Sequence, residues 1–526
     1  MIKLNISEET LSNEEQLAKV VNKLIYIKVV SKEGNALKVK ENQDFYNGIL
    51  PNIIVKDDTT FEPKIFNFAK PITDTATKAF IGEEPDIISS GKKEQKDKCE
   101  IFKRKLYARQ YHKETFSVGK SASIYGSGFL ALYNEVGDIF PRFRTLNPQF
   151  CDVVYDCTLA QKPLLAFNIV SNEKLVSNRL TKNYLVYVYT KENLYVYETL
   201  DTNIDDPMKP SARKDFVKPF LSFKTSDGNF LSVVKHNFKD IPIIEFPNNE
   251  ELKGDFDCVK DLISIYNNLQ NNRCLNVHDI VNYVLMLKNV RVGDQTEVNT
   301  MLDMLREHRV LPVEGEDVDA KFLSNPLNQL ELQTLANDIK QNIHYICRVP
   351  DLSSVDFSQN ASDPIIKIKT KPLMDLCKEK ELFFTEPYLK VLDLTLDFCN
   401  KYDNKASEYV FDLDLVSLEY SHDLPSNDLD MITQIANLAN AKVLNPESAL
   451  QHISWVKSVQ NYIKGMTKYN EYVDKRTKET QNNNSNNGMN ETNKERQDKV
   501  ITDKGQLDNE RNNALGLANK KVDSNE

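Results

Sequence analysis

Between Phe256 and Leu287 apolar residues recur at Phe256, Val259, Ile263, Tyr266, Leu269, Val277, Ile280, Val284 and Leu287. The gaps are mostly three or four residues, the spacing of one helix face. This predicts a helix over 255–288, roughly 50 Å long at about 1.5 Å per residue. Its middle, NNLQNNRCLN, is polar. An ordinary core does not accept such a turn, so the pattern suits a rod or ring assembly better than a compact enzyme.

Around this helix the sequence changes character several times. Residues 1–40 read as helix and then a basic segment. Asn47-Gly48 marks a turn. Residues 66–88 read as helix from Pro71, stopping at Gly82 and Pro85. From about 140 to 245 the pattern is that of strands, with a hairpin expected around Lys191-Glu192-Asn193 in YLVYVYTKENLYVYE. A second helix is expected over 326–347, ended by Pro350. A polar loop, VDFSQNAS, follows, and a long helical pattern then runs from Pro364 to about Lys401. Ser362 or Asp363 is placed to cap it, with Pro364 in the first turn. Pro372 and Pro387 are expected to kink or break it. Residues 410–428 read as strand and turn, 428–469 as two helices with Trp455 on an apolar face, and 475–526 as a disordered polar tail. The fold class is α+β.

Composition narrows the function. The chain has 526 residues, 40% hydrophobic and 27% charged, with net charge −10. No apolar run approaches the ~18 residues of a membrane span, and the start, MIKLNISEETLSNEEQ, lacks the apolar stretch of a signal peptide. A cytosolic protein, or one entering a particle from the cytosol, is expected. The eight cysteines form no CxxC pair and do not cluster with histidine, which disfavours zinc and predicts reduced thiols.

Motifs that tempt are incomplete. VGKSAS (118–123) holds a Gly-Lys-Ser, but the glycine a phosphate loop needs five positions earlier is Glu114. Gly126 and Gly128 lack the third glycine of a dinucleotide turn and read as a tight turn or close packing. The charged run SSGKKEQKDKCEIFKRK (89–105) reads as a solvated loop and helix face, with a phosphate patch as the alternative. His308 and His344 stand alone. No catalytic constellation, metal site or cofactor is indicated.

The order of several segments is more specific. HNFKDIPIIEFPNNEELKGDFDCVKDLISIYNNLQNN (236–272) has a strand ending Pro242 to Phe246, then Asn248-Asn249, then Gly254-Asp255-Phe256 leading into the long helix. Upstream lie DFYNGILP, FNFAKPITDTATKAFIGEEP, SIYGSGFLALY and NPQFCDVVYD. Over residues 40–470 this series resembles the portal proteins of long-tailed double-stranded DNA bacteriophages, of the type found with Gram-positive hosts. The resemblance implies a ring, typically of twelve subunits, at one capsid vertex, with double-stranded DNA passing through it. Implied partners are the large terminase, a head-completion or adaptor protein, and the major capsid and scaffolding proteins; no membrane, enzyme activity or cofactor is implied.

On that resemblance the chain divides into an N-terminal arm (1–40), a first wing part (41–250), a stem helix (251–288) and a clip (289–326). A second stem helix (327–350), a channel loop (351–363), a kinked helix with the second wing part (364–420), a crown (421–470) and the tail (471–526) follow. The channel loop would present Phe357, Ser358, Gln359, Asn360, Ser362 and Asp363. Lys367 and Lys369 would face DNA or solvent. The stem would use Asp255, Phe256, Tyr266, Asn271 and Arg273, and the clip Arg306, Arg309, Glu314 and Glu316. The family's Asn-x-Ser-Gly becomes Asn360-Ala361-Ser362-Asp363 here. An acidic chain suits a conduit, because strong phosphate contacts would arrest sliding. The alternatives are a non-viral helical scaffold or adaptor and a metal-dependent nuclease.

Overall fold

The computed structural model describes residues 2–30, 35–50, 62–176, 179–199, 217–221, 223–224, 230–279, 284–288, 319–323, 329–352 and 363–422, with isolated positions beyond. The chain divides into Met1–Ser426 and Asn427–Glu526. In the second unit only Thr433, Asn437, Leu438, Ile463 and residues 465–467 are described, all helical. The crown, Trp455 and the tail otherwise lie outside the described residues.

The first unit begins with β1 (Ile2–Lys3), α1 (Glu8–Ser12), α2 (Glu14–Ile25), a π-turn (Tyr26–Val30) and α3 (Asn35–Asn47). Next come α4 (Ala69–Ile81), β2 (Asp86–Ser89), α5 (Lys93–Ala108), α6 (Tyr111–Tyr125), β3 (Ser127–Tyr133) and β4 (Arg142–Leu146). A run of strands follows: β5 (Cys151–Tyr155), β6 (Pro163–Val176), β7 (Arg179–Tyr189), β8 (Asn193–Thr199), β9 (Val217–Pro219), β10 (Phe223–Lys224), β11 (Phe230–Leu231), β12 (Val233–Lys235) and β13 (Ile243–Pro247). The remainder is α7 (Lys260–Asp279), β14 (Val284–Lys288), β15 (Asp319–Leu323), α8 (Gln329–Ile346), α9 (Asp363–Tyr402) and β16 (Val416–Glu419). The α+β class is as expected.

The largest sheet runs β1-β5-β6-β7-β8-β12, with β9 beside β8. Its β7–β8 hairpin turns at the expected place, closed by Thr190 N–H donating to Asn193 O at 2.9 Å. Residues 2–25 pack on this sheet. Asn13 caps α2, its Oδ1 accepting from the N–H groups of Glu15 and Gln16 at 3.1 Å each. Leu17, Val21 and Leu24, at helical spacing, are fully buried against Phe167, Tyr184, Val186 and Tyr197. Lys28, on the π-turn, donates to Asp152 Oδ2 at 2.8 Å, both side chains nearly inaccessible.

A second core surrounds the antiparallel sheet β13-β3-β4. Helices α4, α5 and α6, the start of α7 and most of α9 close over it. The two glycines of IYGSGF are fixed by close approach. Gly126 has φ +91°, and a Cβ there would lie 2.1 Å from Leu252 O. A Cβ on Gly128 would lie 2.4 Å from Val118 O. No larger residue fits either position.

One sequence expectation fails here. The helix expected over 255–288 starts after a 3-10 turn at Asp257–Val259 and ends at Asp279. Val284 and Leu287 belong to a strand instead, paired antiparallel with β15 in the register Val284↔Leu323 to Lys288↔Asp319. A short apolar run satisfies both periods, and the partner strand decides. Pro372 and Pro387, expected to kink or break α9, do not break it: the helix is continuous through both. Each proline costs about 3 kcal/mol. Burying Phe384, Tyr388, Val391 and Leu392, worth roughly 1.5–3 kcal/mol apiece, outweighs that.

Gly126→Ala should lower stability by about 2 kcal/mol or more, through strain at positive φ and the clash with Leu252; urea unfolding checks this. A second expectation concerns pH. Glu245, on β13, is buried and accepts from the Tyr155 hydroxyl at 3.0 Å. Burial, then the nearby Asp152 carboxylate, pushes its carboxyl up to about 7. The folded state therefore binds its proton more tightly than the unfolded state. Glu245 favours folding fully below pH ~4.5, and that contribution is lost as pH rises through 7. Glu245→Gln should raise the urea midpoint relative to wild type at pH 8 and leave it similar at pH 5.

Candidate channel helices and their anchor

The Asn-Asn…Gly-Asp-Phe segment builds a buried polar knot at the foot of α7. Asp255 N–H donates to Ser123 O at 2.8 Å, fixing the chain against the end of α6. Its carboxylate accepts from Asn248 Nδ2 at 2.9 Å and from Lys380 Nζ at 2.6 Å. Lys380 Nζ also donates to Ser123 Oγ at 2.7 Å. The Lys380 and Asp255 side chains are 3% and 1% exposed, so neither charge has water to fall back on. Asn248 Nδ2 further donates to Lys253 O at 2.9 Å, and Asn248 N–H to Gly126 O at 2.9 Å. A Cβ on Gly254 would lie 2.4 Å from Ile124 O, which accounts for that glycine. Phe256, next in the chain, is fully buried in the main core. Four segments thus meet at one ion pair: the exit of β13, the entry to α7, the α6–β3 corner and the middle of α9.

The polar middle of α7 has a purpose that sequence reasoning missed. Asn267 and Asn271, one helical turn apart, are buried and grip the main chain of residues 64–66. Asn271 Oδ1 accepts from Lys64 N–H at 2.8 Å while its Nδ2 donates to Lys64 O at 2.9 Å. Asn267 does the same to Phe66, at 2.7 and 3.1 Å. Two amides spaced i and i+4 reproduce the pairing of a strand edge on a helix surface. Tyr266 sits beside them, packed edge-on against Phe68 and Phe66 with ring centroids 4.9 and 5.7 Å away. The expectation that a core does not accept this polar turn therefore fails for Asn267 and Asn271, which are buried. The i,i+4 asparagine pair was the available signal.

Helix α7 packs against α8, which buries Ala336, Ile339, Ile343 and Cys347 at helical spacing. After α8 the chain turns at Arg348, φ +60°. His344 Nδ1 lies 3.0 Å from Val349 O, so this isolated histidine is structural. Lys340 pairs with Asp351 at 2.6 Å and Arg348 with Glu379 at 2.8 Å. α9 starts at Asp363, with Pro364 in its first turn as expected. Lys367 is exposed and Lys369 half-buried.

Of the other predicted site residues, Arg273 is half-buried and donates from Nη1 to Gln270 Oε1 at 3.0 Å. Phe357, Ser358, Gln359, Asn360 and Ser362 of the channel loop, and Arg306, Arg309, Glu314 and Glu316 of the clip, lie outside the described residues, as does His308. The Gly-Lys-Ser of residues 119–121 lies inside α6, not on a loop. Glu114, where a phosphate loop needs glycine, accepts instead from Thr145 N–H and Oγ1 at 2.8 and 2.9 Å. In the charged run, Lys103 is paired with Asp86 at 2.6 Å and Glu100 at 2.8 Å, and Lys98 with Glu94 at 3.0 Å. These ammonium groups already have carboxylate partners. Among the described residues no helix is long and apolar enough to cross a membrane.

The fold and the knot define a class: an α+β framework whose long helices spring from one buried ion pair. A family model described as phage portal protein, SPP1 Gp6-like, matches residues 33–485. The chain belongs to that phage portal protein family. It is also 24% identical over 237 residues to a curated "Portal protein" of Clostridium phage phiCD119, covering 43% of this chain and 48% of the relative. The chain thus spans about half the length of that relative.

Removing one member of the ion pair leaves the other buried and unpaired. Asp255→Ala or Lys380→Ala should each cost about 3–5 kcal/mol. The double variant Asp255→Asn, Lys380→Met, which buries no charge, should recover most of that loss. Urea unfolding of the three variants decides it; equal losses in all three would mean the charges themselves are not what the site tolerates poorly.

Proposed function

We propose that the chain assembles into a ring of about twelve copies at a single capsid vertex and serves as the channel for double-stranded DNA during packaging and ejection. The membership of residues 33–485 in the portal family carries this reading. The ring docks the large terminase on one side and head-completion or adaptor proteins later, and sits among the major capsid and scaffolding proteins. It is built in the host cytoplasm and ends in the virion. It performs no chemistry of its own; the terminase supplies the work. α7 and α8 form the stem, residues 289–326 the clip, and residues 351–363 the loop nearest DNA. The net charge of −10 keeps the wall from gripping phosphate along its length.

Electron microscopy of the purified full chain should show rings of about twelve subunits around an open pore. A monodisperse monomer or a closed compact dimer would overturn the reading. Twelve copies of Asp363 at the narrowest point would repel the phosphate backbone and ease sliding. Asp363→Lys should then slow packaging or retain DNA after ejection is triggered. Unchanged packaging would remove Asp363 from the channel wall.

A further inference from the structure

Helix α8 buries a single stripe of its surface. Ala336, Ile339 and Ile343 face the core. Leu330, Leu335, Tyr345 and Ile346 are large, apolar and exposed, Tyr345 to 81%. A helix that met only its own chain and water would carry polar residues at those positions. The turn that follows, through Arg348, separates two clefts. One, of about 400 Å³, is lined by Phe66, Phe68, Ile72 and Leu352 among others. The second, of about 480 Å³, lies between the end of α8 and the start of α9, with Tyr345, Ile346 and Pro372 in its wall. His344 and Pro350 line both clefts, so the two are parts of one surface. Its margins are apolar as well. Phe66 and Leu352 are partly open to solvent, and Ile368, one helical turn before Pro372, is 73% exposed.

The charges around these clefts are already matched. Lys340 is paired with Asp351 at 2.6 Å and Arg348 with Glu379 at 2.8 Å. His344 Nδ1 is held at Val349 O, 3.0 Å away. Lys369, in the wall of the second cleft, also has a partner within the chain. A phosphate backbone or an acidic peptide would find no spare cation here. The surface instead suits a neutral, apolar protein face, the kind buried in lasting contacts between chains.

The same chain presents such a face on its other long helix. On α7, Asp261, Ile265 and Asn272 are exposed and share one side, opposite the side that buries Ile263, Asn267 and Asn271. Ile265, in the middle of that side, is 52% exposed. Within one copy α7 packs on α8, which leaves the outer side of each helix uncovered. A ring built head to tail needs two different surfaces on every copy, one meeting the other. Repeating the α7–α8 pair around an axis supplies them, since the outer side of α8 in one copy then meets the outer side of α7 in the next. We infer that the exposed side of α8, with the two clefts at its C-terminal end, is the seat for a second copy of this chain, which presents α7 around Ile265. The inference rests on the ring reading above and adds to it the two surfaces that meet.

The test is assembly of the full-length chain, followed by sedimentation velocity across a concentration series. Tyr345→Asp and Ile265→Asp should each raise the concentration at half-assembly by at least about tenfold, since a buried charge at a central contact costs that much or more. Leu159→Asp, at a fully exposed position in the β5–β6 turn, should leave it unchanged. Circular dichroism and the urea midpoint of each variant should match wild type, which separates lost assembly from lost folding. A photocrosslinking residue, benzoylphenylalanine, in place of Tyr345 gives the partner directly. In rings mixed from isotopically light and heavy chains, mass spectrometry should find it joined to peptides of α7, with light–heavy pairs among them. Wild-type rings with both aspartate variants assembling as well as wild type would remove this seat and leave the ring reading standing. Crosslinks confined to single chains, or joined to a second copy elsewhere than α7, would overturn the pairing of surfaces. Variants that form rings normally but lose association with double-stranded DNA would give the face to the duplex instead. A wild-type chain that stays monomeric would overturn the ring and this seat together.

Discussion

The Asp255–Lys380 pair is the constraint on which the rest of the first unit depends. Two charges out of water carry a desolvation penalty of several kcal/mol each. Here that penalty is met by three hydrogen bonds made by the two side chains and the Asp255 N–H bond to Ser123. A hydrophobic pair of similar volume would hold the same volume without demanding one geometry. The ion pair does demand one, because any slip of α9 along α7 leaves a bare charge. It sets the register of the long helix α9 against the entry to α7, and the glycines at 126, 128 and 254 follow from how closely the backbones then approach.

The same strategy recurs along the helices. Polar side chains are spent on main-chain groups of distant segments. Asn267 and Asn271 hold residues 64–66, Asn42 donates to Ile124 O at 2.7 Å, and Lys38 donates to Leu252 O at 2.9 Å. Irregular backbone inside a protein carries unsatisfied polar groups unless something pairs them. Asparagine, with one donor face and one acceptor face, pairs both groups of one residue at once. This lets extended chain lie along a helix with no strand beside it.

That physics explains what could be read from the residues alone. The hairpin at 190–193, the helix stop at Gly82, the end of α8 before Pro350 and the start of α9 beside Pro364 are set by local turn and capping chemistry, which the sequence carries explicitly. The ordered Asn-Asn…Gly-Asp-Phe motif was visible as a family resemblance, but its cause was not. Lys380 is more than a hundred residues from Asp255, and nothing local marks one lysine of KEKEL as the buried one. The polar turn of α7 reads as unsuited to a core, because periodicity reports which residues are apolar and is silent on polar residues that are buried by pairing with backbone. Val284 and Leu287 fit a helix period, but they bound a continuous apolar run that a strand accepts equally, so only β15 could settle them. The prolines of α9 were judged by local cost, whereas the helix is held by what it buries.

α9 joins two places with different demands. Its first residue, Asp363, adjoins the loop assigned to the channel, and Lys380 lies less than five turns further on, locked in the knot. A helix transmits displacement along its axis because every turn is bonded to the next. Pro372 lies between these points and removes one of those bonds. The first turns of α9 are also the less buried: Ile365, Lys367 and Ile368 are exposed, whereas burial begins at Thr370 and Leu373 and is heavy from Cys377 onward. Burial therefore increases along the helix toward the ion pair. The exposed start of α9 and its buried remainder are thus parts of one helix, and Pro372 lies near the boundary between them.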